Sequence, residues 1–160
     1  MNKNMRILVT GVKGQLGYDC VRELKERGYQ NVLGIDRDEL DITKEEDVRK
    51  FICDYKPDVI MHNAAWTAVD KAEQEKEAVY AVNSLGTKYI ADAAKLVNAK
   101  MVYISTDYVF EGTGNEAYEV DSPKKGLSVY GVTKSKGEDF VRETLTKYFI
   151  VRISLSLIHI

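Results

Sequence analysis

The stretch that decides the fold is RILVTGVKGQLG, Arg6 to Gly17. Its first half, Arg6–Thr10, is a short apolar, β-branched run that reads as a buried strand. Its second half sets Gly11, Gly14 and Gly17 just where that strand would end. Leu16, Cys20, Val21 and Leu24 then recur at helical spacing, and Gly28 closes that helix. Glycines between a strand and a helix form a turn that can seat a dinucleotide's pyrophosphate. The first permits the tight turn, the second lets the backbone approach the phosphates, and the third lets helix and strand pack closely. The spacing is GxxGxxG, not the strict GxGxxG, so the surrounding strand and helix carry the reading.

Beyond the turn, Val32–Asp36 reads as a second strand. Asp36 ends it, and an acid about twenty residues past the glycines can accept hydrogen bonds from the adenosine ribose, which favours NAD. Arg37 follows at once, and an arginine there could pair with a 2′-phosphate, which favours NADP. The two pull in opposite directions, so the cofactor is read as NADPH or NADH. Thr43 as N-cap with Glu46 beyond it predicts a capping box, and Pro57 marks a helix stop. Val59–His62 is a third strand. Two helical pieces follow, the longer ending near Asn98. Met101–Ser105 is a fourth strand, followed by a Gly- and Asp-rich loop, a helix from Ser128 to Lys147, and a fifth strand from Tyr148. Strands alternating with helices predict an α/β fold: a Rossmann-type, doubly wound parallel sheet with helices on both faces.

The length of 160 residues suits one domain, and 44% hydrophobic residues with only 2 prolines suit a real core. A formal net charge of −2 leaves no electrostatic footprint for nucleic acid or an anionic membrane. Cys20 and Cys53 form no CxxC or disulfide pattern, which suits a reducing compartment. His62 and His159 are too isolated to suggest a metal site. No apolar run reaches spanning length, and the N-terminus runs straight into a strand with no room for a signal peptide. These features predict a cytoplasmic domain with no membrane or nucleic-acid partner.

Tyr130 and Lys134, in YGVTK, share one helix face. Alone, that spacing describes two surface side chains. Together, GVKGQLG, LDIT, NAAWTAVDKAE, AVNSLGT, STDYVFEG and VYGVTKSKGE resemble the extended short-chain dehydrogenase/reductases, and within them the dTDP-4-dehydrorhamnose reductase family. The likeness runs from about Met5 to Ser154. It implies that Gly14, Gln15 and Leu16 line the pyrophosphate and that Asp41 and Ile42 flank the adenine. Ala64, Ala65 and Thr67 would touch the cofactor, with Asn83 supporting that wall. Thr106, Tyr130 and Lys134 would be catalytic, Thr106 and Asp107 would meet the substrate, and Tyr130 and Lys134 would also hold the nicotinamide ribose.

The implied reaction is NAD(P)H-dependent reduction of dTDP-4-dehydrorhamnose to dTDP-L-rhamnose. Tyr130 would protonate the alkoxide and Thr106 would donate a hydrogen bond to it. A phenol with a pKa near 10 would be eased by the Lys134 ammonium; lowering it by about 3 units is worth roughly 4 kcal/mol. The family at times takes Mg2+, for which no motif is readable here, and the full-length form would be a homodimer. Two other readings stand beside this one: a non-catalytic, dinucleotide-binding regulatory subunit, or another sugar-nucleotide epimerase or reductase. The Thr106/Tyr130/Lys134 set argues against the first. Tyr108, where dehydratases carry an acid beside the catalytic threonine, argues against a dehydratase.

Two departures stand out. Ser128 occupies a position where the family often has Asn. Residues 1–154 read as the NAD(P)-binding domain, but the family's substrate-binding region beyond the fifth strand is missing. Leu155–Ile160 instead resembles a translated transposon adapter of the kind used in library preparation, and reads as a non-native tail. The shortened chain is expected to bind dinucleotide weakly, to turn over little or no substrate, and to expose apolar surface.

Overall fold

The computed structural model describes residues 2–113 and 115–154, so the tail from Leu155 lies outside the described residues. Five strands, β1 (Arg6–Thr10), β2 (Asn31–Ile35), β3 (Val59–His62), β4 (Lys100–Thr106) and β5 (Tyr148–Ile153), form one parallel sheet in the order β2-β1-β3-β4-β5. The chain leaves β1 on one side for β2, then crosses back to β3 on the other. That reversal opens a crevice at the carboxyl ends of β1 and β3, where ligands bind in open α/β sheets.

Helices lie on both faces, but unequally. Leu8, Ile60, Met101 and Tyr103 share one face and pack against α2 (Glu45–Tyr55), α5 (Thr87–Leu96) and α6 (Val129–Thr144) through Val48, Ile52, Ile90 and Val141. The other face carries α1 (Gln15–Glu26), whose Val21 sits with Val12 over Gly34. Farther along that face, on β5, Phe149 is 69% exposed and Val151 41% exposed.

Local signals held in most places and failed at the start of α2. Helix α1 ends at the expected place, with the Gly28 N–H returning to the Lys25 carbonyl at 2.9 Å. The capping box at Thr43 does not form. The Thr43 hydroxyl donates to Asp41 Oδ1 at 2.7 Å, α2 starts at Glu45 behind Lys44, and Glu46 pairs with Arg49 instead. The two helical pieces before β4 resolve into α3 (Val69–Ala72), α4 (Lys76–Tyr80) and α5, the last two joined by a π-helical turn over Ala81–Gly86. Cys20 and Cys53 are half-buried free thiols.

His62 ends β3 with no exposure, stacked on Tyr103. The Ala64 N–H donates to Thr10 Oγ1 at 3.1 Å, and that hydroxyl lies 2.8 Å from His62 Nδ1. His62 Nε2 lies 3.2 Å from Thr87 Oγ1, which donates to the Asn83 carbonyl at 2.8 Å. A neutral ring protonated at Nε2 satisfies this whole row. Burial, helped by the Lys134 charge, pushes the His62 pKa down from 6.5 to about 3.

A base whose folded pKa is depressed contributes stability that is complete above its unfolded value and is lost as pH falls toward the folded one. Denaturant unfolding of the wild-type chain should therefore lose about 1.5 kcal/mol between pH 6.5 and pH 5 through His62. His62→Gln should start less stable and lack that slope; parallel pH profiles would refute the account. The exposed pair on β5 gives a second expectation. Phe149→Lys should reduce concentration-dependent self-association in sedimentation runs while shifting stability by no more than about 0.5 kcal/mol. A wild-type chain that stays monomeric at all concentrations would contradict it.

Candidate active site

A cleft of about 760 Å³ opens at the crevice between β1 and β3. Its floor is the glycine turn. Gly11 has φ +74°, and a Cβ there would meet Ala64 N at 2.7 Å, so the first glycine serves both the turn and the approach of the β3 loop. A Cβ on Gly17 would run into the Gly11 carbonyl, so the third glycine sits buried beneath the turn and does not line the cleft. Gly14 does line it. Gln15 and Leu16, expected at the pyrophosphate, lie exposed on the first turn of α1, where the backbone N–H groups of a helix start are free of intrahelical partners, and their side chains are not among the cleft lining.

Asp36, Arg37, Asp41 and Ile42 form one end of the cleft. Asp36 lies one residue past β2, and its carboxylate accepts from the Lys13 and Arg37 N–H groups, each at 2.8 Å. It therefore caps the glycine turn. Lys13, not singled out by sequence, lines this end and pairs with Asp38. Asp41 is held below the usual carboxylate range by the Thr43 hydroxyl and backbone N–H.

The opposite wall is Ala64, Ala65, Trp66 and Thr67. Asn83 stands behind it, fully buried. Its Oδ1 accepts from Trp66 N–H at 2.8 Å, and its Nδ2 donates to the Trp66 carbonyl and to Thr133 Oγ1. Sequence reasoning missed Asn63. It is one of the cleft-lining residues, and its side-chain amide is buried with no hydrogen-bond partner among the described residues. An orphaned buried amide costs free energy unless a ligand satisfies it. Its signal was its place directly after β3, in NAA. The turn, the crevice and this amide fit a dinucleotide.

Thr106, Tyr130 and Lys134 lie beside this cleft, outside its lining, and are joined to it through Asn83 and Thr133. Thr106 ends β4; its hydroxyl accepts from the Tyr108 N–H at 3.2 Å and donates to Asp107 Oδ1 at 3.0 Å. Ser128 caps α6 by accepting from the Gly131 N–H at 3.0 Å, which accounts for a short hydroxyl side chain at that position. A Cβ on Gly131 would strike the Tyr108 carbonyl, so the glycine lets the helix press onto the loop after β4. The Tyr108 ring meets Tyr130 edge-on, 5.6 Å between centroids.

The geometry corrects one expectation. Burial raises the Tyr130 pKa, and the Thr106 hydrogen bond only partly opposes it. The Lys134 ammonium is turned inward. It donates to the Ile104 carbonyl at 2.7 Å and lies 4.1 Å from the centroid of the Tyr103 ring. Its burial lowers its pKa to about 7, against an upward pull from Glu138. In this arrangement the ammonium answers a carbonyl and a ring, and the phenol stays protonated.

Sequence also missed Glu138, fully buried one turn beyond Lys134. Arg152 grips it with Nε at 2.9 Å and a second guanidinium nitrogen at 2.7 Å, and the Ser105 hydroxyl donates to it at 2.6 Å. Among the described residues no group of three or more His, Cys, Asp or Glu could hold a metal, and no helix is long and apolar enough to cross a membrane.

Residues 5–157 match the family model described as RmlD substrate binding domain. The dTDP-4-dehydrorhamnose reductase of Streptomyces griseus is 43% identical over 88% of this chain and 46% of its own length. The crystal structure of the Bacillus anthracis dTDP-4-dehydrorhamnose reductase in complex with NADP superposes with a TM-score of 0.89 at 42% identity, over 93% of this chain and 53% of that one. The Clostridium acetobutylicum dTDP-4-dehydrorhamnose reductase ortholog gives 0.91 at 43% identity, over 94% and 53%. The chain thus spans about half the length of the relatives it matches. With nearly all of its residues covered by that model, the chain belongs to the RmlD substrate binding domain family.

Proposed function

We propose that this chain is the cofactor-binding, proton-donating half of a dTDP-4-dehydrorhamnose reductase, and that NADPH or NADH occupies the cleft. The observation that carries the reading is the glycine-floored crevice at the reversal between β1 and β3, with Asn63 in its lining and Thr106 and Tyr130 beside it. Gly11 and Gly14 would take the pyrophosphate, the Asp36–Ile42 end the adenosine, and Ala64, Ala65 and Thr67 the far half. Bound there, the dinucleotide supplies the hydride.

The chain's own groups handle the proton. Tyr130, kept neutral by burial, holds a proton at neutral pH for the carbonyl oxygen of the sugar. Thr106 gives its one hydroxyl proton to Asp107 Oδ1 in the ligand-free chain, and on substrate binding that proton would turn to the same oxygen. Lys134, with a pKa of about 7, is divided between charged and neutral forms near neutrality. On the family likeness, the substrate is a dTDP-sugar, the setting is the cytoplasm, and the longer reductase is a homodimer.

Lys13 and Arg37 at the adenosine end favour a 2′-phosphate, while the Asp36 carboxylate is already engaged by two backbone N–H groups. The NADP bound to the Bacillus anthracis relative supports that preference. Calorimetric titration should show saturable NADPH binding, weakened about tenfold by Arg37→Ala with a smaller effect on NADH. Absence of saturable binding by either cofactor would defeat the reading. When the chain is joined to the remaining half of a relative, NADPH oxidation with dTDP-4-dehydrorhamnose should appear, and Tyr130→Phe should cut kcat by about 10²–10⁴. An unchanged rate in Tyr130→Phe would remove the tyrosine from its role.

A further inference from the structure

We infer that Glu138 is a positioning residue: through Ser105 and Arg152 it fixes where helix α6 stands along β4, and so where Tyr130 meets Thr106. The case rests on three consecutive positions at the end of β4. Ile104 offers its carbonyl to Lys134, Ser105 donates its hydroxyl to Glu138, and Thr106 stands against Tyr130. The helix residues involved are four apart, so they form one stripe of α6 facing one strand end. Two of these contacts belong to the proposed reaction. The third, from Glu138, touches neither substrate nor cofactor and is the most deeply buried of the charged groups there.

Glu138 also reaches beyond β4. Arg152 carries the tie to β5, and its remaining nitrogen donates to the Val120 carbonyl at 3.0 Å. Lys124, 3.6 Å from Glu138, pairs with Asp139 and donates to the Ser135 carbonyl at 3.1 Å. One carboxylate therefore gathers β4, β5 and the segment before α6 onto the helix that carries the phenol. A carboxylate retained only for stability would not need its shortest bond on the residue next to Thr106.

The consequence for the cofactor rests on the dinucleotide reading above, so the test has an arm that does not. In the ligand-free chain, 13C-labelled tyrosine spectra would be recorded for the wild type, Ser105→Ala and Glu138→Gln, with Tyr130→Phe assigning the Tyr130 signal. Ser105→Ala removes the tie but leaves Glu138 paired with Arg152, so it keeps the fold if Glu138→Gln does not. The Tyr130 signal should move in Ser105→Ala while those of Tyr18 and Tyr55 stay in place. In titrations, Ser105→Ala should bind NADPH about three- to tenfold more weakly yet bind adenosine 2′,5′-bisphosphate, which lacks the nicotinamide half, as well as the wild type does. An unmoved Tyr130 signal overturns the inference, as does equal weakening toward both ligands. A wild type that binds neither ligand sinks the dinucleotide reading instead and leaves the Tyr130 signal to decide this one.

Discussion

Helix α6 is held to the end of β4 by a carboxylate with no exposure, Glu138, and by the groups that pair with it. Glu138 is fully buried, and burial alone would push its pKa up; the Arg152 guanidinium and the Ser105 hydroxyl more than offset that and hold it down. Removing one partner of such a pair typically costs about 3–5 kcal/mol, because the other charge is left stranded. Everything that could act on a substrate depends on this docking. Tyr130 and Lys134 are carried by the helix, Thr106 by the strand, and the Asn83–Thr133 contact passes the helix position on to the wall of the cleft.

Lys134 acts in the opposite sense. A lysine whose pKa falls from 10.5 to about 7 opposes folding by on the order of 4 kcal/mol at neutral pH. Set against a typical stability of about 5–15 kcal/mol, that is a heavy load for one side chain. That load is net of the upward pull of the Glu138 charge, without which burial would cost more. A buried amine with that cost is better explained by chemistry than by packing, since a methionine would fill the space more cheaply.

Much of the fold was legible because its signals are local. The apolar runs, the glycine turn and the alternation of strands with helices depend on neighbours within a few residues. The misreadings share a cause. Thr43 looked like a cap, but its hydroxyl and its N–H both turn back to Asp41 and the helix starts one residue later, behind Lys44. Spacing placed Tyr130 and Lys134 on one helix face without saying how deep the ammonium would sink. Glu138 stands four residues beyond Lys134 on the same helix face, but its burial and partners could not be read, since Ser105, Lys124 and Arg152 come from separate parts of the chain.

Two places in this chain are left unsatisfied. The buried amide of Asn63, a residue of the cleft lining, lacks a polar partner among the described residues, and Phe149 is exposed on the outer sheet face. Their physics differs. A buried amide without a partner is a directional deficit that a ligand carrying donors and acceptors can answer. An exposed aromatic on a strand at the edge of the sheet is a non-directional one, answered by any surface of suitable shape. The first therefore selects its occupant, and the glycine turn, the Asp36 cap and the Asn83 bracket hold it in a fixed frame. The second selects almost nothing, and that is why the cleft, and not the sheet face, carries the functional reading.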